Sequence, residues 1–223
     1  MPVVRFLDTE TTGFVDPDPV EIAFIDCVGP PHHMKIAQKA QEFYKPRKPI
    51  ENGAMAVHHI TNEDVAGHQK WDPESFHPGE GFDFLVGHSI DYDWNVIGKP
   101  EVRRICTDAM ARHTWPEADS YKQSALLYRL YGGKAREMFN LKFAHGALLD
   151  IENCYHLFGV IVKIHKFKAW EEVWKFSEEA RVPIKMPFGK HRGEKIADMP
   201  RSYKNWLLGQ PDVDPYLRVA LER

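Results

Sequence analysis

The sequence predicts an α/β fold, a mixed sheet flanked by helices, with a small hairpin-plus-helices unit at the C-terminus. Three observations carry this. Runs rich in β-branched and aromatic residues near the N-terminus are joined by short, turn-rich connections, which imply antiparallel neighbours. Beyond residue 80, strand-like runs alternate with helix-like ones, the pattern of a sheet covered by helices. Around Arg181 to Pro187 that pattern breaks, and a short segment with glycines at 189 and 193 begins.

Residues 3–7, 20–28 and 42–44 read as strands, with VDPDP and GPP punctuating them. From Pro46 to Pro78 the chain turns polar and loop-rich. FDFLVGH (82–88) is a further buried strand, followed by a helix over 91–97 and a fifth strand over 102–107. The apolar period then becomes helical in SYKQSALLYRLYG, FAHGALLDIENCYHLFGVIV and AWEEVWKFSEEA. Trp170 and Trp174, four apart in the last of these, fit core packing better than a binding face. In the C-terminal unit, PFGKHRGEKIADMP predicts a hairpin with a basic tip. SYKNWLLG and DPYLRVALER predict two short helices, the second with Asp214 as N-cap and Pro215 at its first position. The expected division is a main domain over 1–180 and a small one over 181–223.

With 223 residues the chain can bury a real core, and its ordinary apolar content excludes a disordered or collagenous polypeptide. The formal net charge of −3 excludes a highly basic nucleic-acid coat protein, so any nucleic-acid site must be local. Cys27, Cys106 and Cys154 are scattered without a CxxC pair, which favours a reducing interior. MPVVRFLD shows no signal-peptide pattern, and HLFGVIV is too short to span a bilayer. The expectation is a cytoplasmic protein with no membrane contact.

The chemistry concentrates in acids at strand ends. In FLDTETTG, Asp8 and Glu10 share one face of a strand, with Cα atoms about 6–7 Å apart. They are either turn acids closing the strand or ligands of a hard cation such as Mg²⁺ or Mn²⁺, which takes carboxylate oxygens. VGHSIDYDWNVI again runs an apolar strand into acids. Asp91 suits a helix N-cap and Asp93 its first turn, where the helix dipole favours a carboxylate. HGALLD places His145 and Asp150 near the start of a long amphipathic helix. If both are helical they point roughly 140° apart; if His145 precedes the helix, it can address a water while Asp150 binds an ion.

DTE, SIDYD and HGALLD, in this order, resemble the three motifs of the DEDDh family of ribonuclease-H-like 3′→5′ exonucleases. The third motif has its His-x-Ala-x-x-Asp form as His145, Ala147 and Asp150. KPRKPIENGAMAVHHITNEDV resembles the family segment between the first two motifs, with His58 matching a commonly retained His and His59 standing where many members carry Gly. PFGKHRGEKIADMPRSYKNWLL looks like the small C-terminal domain of the exonuclease X type, so the resemblance covers nearly the whole chain. Ser89 replaces an Asn and Tyr92 a Phe found in many relatives.

The resemblance implies a ribonuclease H-like fold and a two-metal phosphodiesterase using Mg²⁺, for which Mn²⁺ can substitute. Asp8, Glu10 and Asp150 would hold one ion, Asp8 and Asp93 the second, and His145 would act as general base, releasing nucleoside 5′-monophosphates from DNA 3′ ends, single- or double-stranded. Thr9, Thr11, Phe14 and His58 would line the substrate, Phe14 either stacking on the terminal base or anchoring its loop in the core. Lys190 and Arg192 would add phosphate contacts. RNA 3′ ends are an alternative substrate, and a non-catalytic nucleic-acid-binding module an alternative function. DNA repair or processing is the expected setting.

Overall fold

The computed structural model describes residues 2–74, 81–143 and 145–223, the side chain of Phe143 excepted. Five strands, β1 (Val3–Thr11), β2 (Pro19–Val28), β3 (Lys35–Phe43), β4 (Phe84–Gly87) and β5 (Arg103–Cys106), form one sheet in the order β3-β2-β1-β4-β5. β1 pairs antiparallel with β2, and β2 with β3, whereas β4 joins β1 and β5 joins β4 in parallel. The sheet is therefore mixed, as the short first connections and the later strand–helix alternation require.

The helices are α1 (Asn52–His58), α2 (Asn62–Val65), α3 (Asp91–Val96), α4 (Thr107–Thr114), α5 (Gln123–Tyr131), α6 (Ala135–Met138), α7 (Ala147–His165), α8 (Trp170–Arg181), α9 (Arg201–Leu208) and α10 (Pro215–Glu222). The faces of β1 explain the layers. Val4 and Phe6 join the core formed with Ile151, Cys154 and Phe158 of α7, and the Phe6 ring meets Phe158 edge-on at 5.2 Å. Leu7 points the other way, into a second cluster with Leu85, Ile90 and Ile97 around α3. By the same alternation Asp8 and Glu10 lie on the α7 face and Thr9 on the α3 face. Trp170 and Trp174 pack on the α7 core, Trp170 stacked 5.6 Å from Phe158.

Several expectations need correction. β1 does not end at Leu7: it runs through both acids to Thr11. β3 covers Lys35–Phe43 rather than 42–44, and its side chains are mostly exposed and polar. It is an edge strand held by the backbone ladder, so its residues show no buried face. The polar stretch after Pro46 contains α1 and α2, the latter closed by a Thr61–Asp64 capping box; its end, 75–80, lies outside the described residues. α4 follows β5 without a loop, so no turn residue announces it. Asp91 is not the N-cap of α3: Ile90 is, without a side-chain cap. Asp91 instead pairs with Arg104 and, at 3.1 Å, with Arg181 Nη1.

The expected C-terminal hairpin is a closed loop without strands. A single bridge, Lys185 to Lys195, is joined by bonds from Met186 N–H to the Glu194 carbonyl (2.9 Å) and from Gly193 N–H to the Met186 carbonyl (2.8 Å). Below it Met186, Ile196, Met199, Leu207, Leu217 and Leu221 form a separate small core. Asp214 caps α10 as expected, accepting from Tyr216 N–H and Leu217 N–H. Arg181 Nη1, at the end of α8, also donates to Tyr216 Oη at 2.7 Å and so joins α10 to α3 through Asp91. Among the described residues no helix is long and apolar enough to cross a membrane.

Candidate active site

Asp8 and Glu10 arrive on the same face of β1, and α7 brings Asp150 to them from its first turn. One carboxylate oxygen from each of Asp8, Glu10 and Asp150 lies within 4.8 Å of the other two. Asp93 is not part of that trio. It is buried in the first turn of α3, and it accepts from Thr9 N–H at 3.0 Å and from Thr9 Oγ1 at 2.7 Å. Thr9, between the two acids in sequence, thus uses both its backbone and its hydroxyl to hold a fourth carboxylate against the strand.

The acids raise one another's proton affinity. Burial first, then the charges of Asp93, Glu10, Asp150 and Glu21, hold the Asp8 carboxyl well above the usual carboxylate range. Glu10 is pushed up to about 9 by burial and by Asp150, Glu21 and Asp93. Burial also raises Asp150 and Asp93, in the latter case against the lowering effect of the Thr9 bonds. An all-oxygen donor set under such mutual repulsion suits a hard divalent cation, whose charge relieves the repulsion.

His145 stands just before α7, not within it. Its backbone is left-handed at φ +80°, its N–H donates to Asp150 Oδ2 at 3.0 Å, and its side chain is exposed. The 140° separation of a fully helical arrangement therefore does not apply: the turn folds the His backbone onto the acid.

The chain after β1 forms the rim. Thr11 Oγ1 lies 2.6 Å from Tyr92 Oη and donates to the Gly13 carbonyl at 3.1 Å, to which Tyr92 Oη also donates at 2.9 Å. Phe14 follows, 88% exposed, its ring 6.0 Å from that of Tyr92. The ring therefore lies outside the core, against Tyr92 on the rim. His58 is buried beneath this loop. Its Nε2 donates to the Thr11 carbonyl at 3.1 Å and its Nδ1 accepts from Ile60 N–H at 3.0 Å. Burial pulls its pKa down, consistent with a neutral ring serving as a brace. Lys190 and Arg192 are exposed on the C-terminal loop, outside the carboxylate group.

Glu21 escaped the reading of motifs. It sits opposite Glu10 in the β1–β2 register, is 2% exposed, and accepts from Gln41 Nε2 at 2.5 Å and from Ala147 N–H at 3.2 Å. An acid inside the apolar run PVEIAFI was the available signal, since a buried charge requires partners.

The family described as exonuclease matches residues 6–158, more than half of the chain. The chain belongs to the exonuclease family. A second family, whose description concerns a quorum-sensing-regulated virulence factor, matches residues 179–211, too little of the chain to assign it. This exonuclease is 29% identical over 226 aligned positions to exodeoxyribonuclease 10 of Escherichia coli strain K12, covering 99% of this chain and 97% of that one. A solved structure of exonuclease X in complex with 5′ overhanging duplex DNA is similar at a TM-score of 0.63 and 29% identity, covering 78% of this chain and 99% of that one. Escherichia coli exonuclease I, solved with a dA16 oligonucleotide, shares the fold at a TM-score of 0.58 and 15% identity, covering 81% of the exonuclease and 44% of its own chain. The mixed sheet flanked by helices is thus the ribonuclease H-like arrangement expected from the motifs.

Proposed function

We propose that this exonuclease is a Mg²⁺-dependent 3′→5′ exodeoxyribonuclease that releases nucleoside 5′-monophosphates from DNA ends. The observation that carries the reading is the convergence of Asp8, Glu10 and Asp150 within 4.8 Å, next to the exposed His145. DNA as substrate is supported by the similarity to exodeoxyribonuclease 10 and to exonuclease X bound to duplex DNA. Asp8, Glu10 and Asp150 would hold one Mg²⁺, and Asp8 with Asp93 a second. When bound, the ions supply positive charge to the scissile phosphate.

The chain's own groups do the rest. His145 takes the proton of the attacking water at a ring nitrogen, a role suited to imidazole near neutral pH. Its backbone bond to Asp150 fixes the turn that presents it. Thr9 orients Asp93 from behind the strand. Phe14 offers an exposed ring to the terminal base, on a loop braced by Thr11, Tyr92 and His58. Lys190 and Arg192 serve the phosphates of longer strands, and residues 181–223 form an appended nucleic-acid-binding unit around their own small core. The buried thiols Cys27, Cys106 and Cys154 suit the cytoplasm.

The test follows 5′-labelled DNA and RNA oligonucleotides of one sequence with Mg²⁺, with EDTA, and with Asp8→Ala protein. A ladder shortening from the 3′ end, faster on DNA and lost without the ion or Asp8, is expected. Faster trimming of RNA would reassign the substrate, and full activity of Asp8→Ala would refute the site.

A further inference from the structure

The segment from Lys185 to Lys204 concentrates positive charge in an acidic chain. Six Lys or Arg residues (Lys185, Lys190, Arg192, Lys195, Arg201 and Lys204) stand in this stretch against two acids, Glu194 and Asp198, whereas the whole protein carries −3. Glu194 is moreover engaged with His191 Nδ1 at 2.9 Å. A local field of that sign attracts a polyanion.

Aromatic rings lie within the same surface. Tyr203 and Trp206 are three apart on α9, so they share a helix face, and their rings lie 5.4 Å apart at 30°. The His191 ring approaches Tyr203 at 4.5 Å, and Lys190 Nζ stands 4.9 Å from the Tyr203 centroid. The loop is shaped for this contact: Gly189 has φ +69°, and a Cβ there would meet Tyr203 Oη at 3.1 Å. Leu207, next to Trp206, turns into the small core, while Trp206 keeps 56% of its surface in solvent and Phe188 49%.

We infer that Trp206, backed by Tyr203 with Lys190 over the Tyr203 ring, is a stacking platform for unpaired bases of single-stranded DNA, separate from the carboxylate site. The chemistry selects this occupant. The basic side chains match a phosphate backbone, and an exposed indole gains from a base that is not already stacked inside a duplex. Duplex DNA would use the charge but not the ring. The proposal deepens the DNA reading of the carboxylate site and rests on it for the identity of the nucleic acid. On this reading the C-terminal unit retains the strand whose 3′ end is being shortened.

The test is equilibrium binding of the full chain to fluorescein-labelled dT20 and to a blunt 20-base-pair duplex in EDTA, read by anisotropy over a range of salt. Trp206→Ala is expected to weaken dT20 binding at least about fivefold with an unchanged salt slope, and Trp206→Phe to keep most of the affinity. Lys190→Ala with Arg192→Ala is expected to lower the slope of log K against log salt by about 1.4 for dT20, because each lost phosphate contact removes about 0.7. The duplex is expected to be insensitive to Trp206→Ala. Unchanged dT20 affinity in Trp206→Ala, or an equal loss for the duplex, would overturn the platform. Wild-type hydrolysis of thymidine 5′-(p-nitrophenyl phosphate), which has no strand to reach α9, reads the carboxylate site independently. Its failure with dT20 binding intact would discard the catalytic reading and leave the platform standing.

Discussion

Glu21 lies directly opposite Glu10 across the β1–β2 ladder, and its Oε2 accepts the Ala147 N–H at 3.2 Å. The N–H groups of a first helical turn lack intrahelical partners, and Gly146, the N-cap of α7, offers no side chain to meet them. Glu21 therefore serves as a cap from another strand. It fixes the start of the helix that carries Asp150 and the turn that carries His145. Glu21→Ala is expected to cost about 1–3 kcal/mol of stability, the usual penalty for a buried donor left unmet. Glu21→Gln keeps an acceptor oxygen and is expected to recover most of it, with hydrolysis falling further in the Ala variant than in the Gln variant. Urea unfolding and turnover of a labelled oligonucleotide measure both. Equal losses for Ala and Gln would show that the charge, not the cap, matters.

The raised acids make stability depend on pH in a direction that the ion reverses. Glu10 keeps its proton in the folded, ion-free protein up to about 9, because burial and the charges of Asp150, Glu21 and Asp93 disfavour its ionised form. In the unfolded chain a Glu releases it near about 4.3. Between those values the folded state binds more protons, so stability is greatest below the unfolded pKa and falls as pH rises toward 9. Asp8 contributes in the same sense. A divalent ion takes the place of those protons. The gain in melting temperature from Mg²⁺ over EDTA is accordingly expected to be larger at pH 8.5 than at pH 5.5. Equal gains at both pH values would mean that the ion binds elsewhere.

Much of this site was legible because strand periodicity is rigid. Asp8 and Glu10 had to share a face, and the resemblance to the third motif, at the start of the helical pattern over 143–162, added Asp150 to them. What escaped notice depended on contacts remote in sequence. β3 has no apolar face, so only its ladder to β2 reveals it. The expected hairpin around Lys190 closes through a single bridge because two glycines and a basic tip specify a turn, not strands to flank it. Asp91 resembled a cap by position, yet two arginines from β5 and α8 claim it. Glu21 belongs to no motif, and its role becomes visible only when α7 is placed over β2.

The exposure of Phe14 separates binding from folding. With 88% of its surface in solvent, the ring contributes little to the core, so Phe14→Ala is expected to leave the unfolding midpoint unchanged within experimental error. Affinity for a DNA 3′ end is expected to fall about 5- to 140-fold, the range for loss of one base–aromatic stack. Competition with an oligonucleotide blocked by a 3′ phosphorothioate linkage measures that affinity without turnover. A variant that loses stability but binds the end normally would return Phe14 to a purely structural role.

His59 and Ser89, which stand in place of the Gly and Asn of the motif pattern this sequence resembles, lie at two left-handed positions. His59 has φ +60° at the C-cap of α1, where its N–H bonds to the Met55 carbonyl at 2.9 Å, and Ser89 has φ +66° at the turn into α3. A side chain with a Cβ is strained in that region by about 1–2 kcal/mol, glycine is not, and Asn tolerates it better than most. His59→Gly is therefore expected to raise stability by up to about 1 kcal/mol, part of the relief being offset by the greater freedom of glycine in the unfolded chain. Ser89→Asn is expected to give a smaller gain. Both are read as a shift of the urea midpoint at constant m-value. His59→Ala supplies the control. It removes the imidazole but keeps the Cβ, so an Ala variant as stable as the Gly variant would place the cost in the ring and not in the backbone.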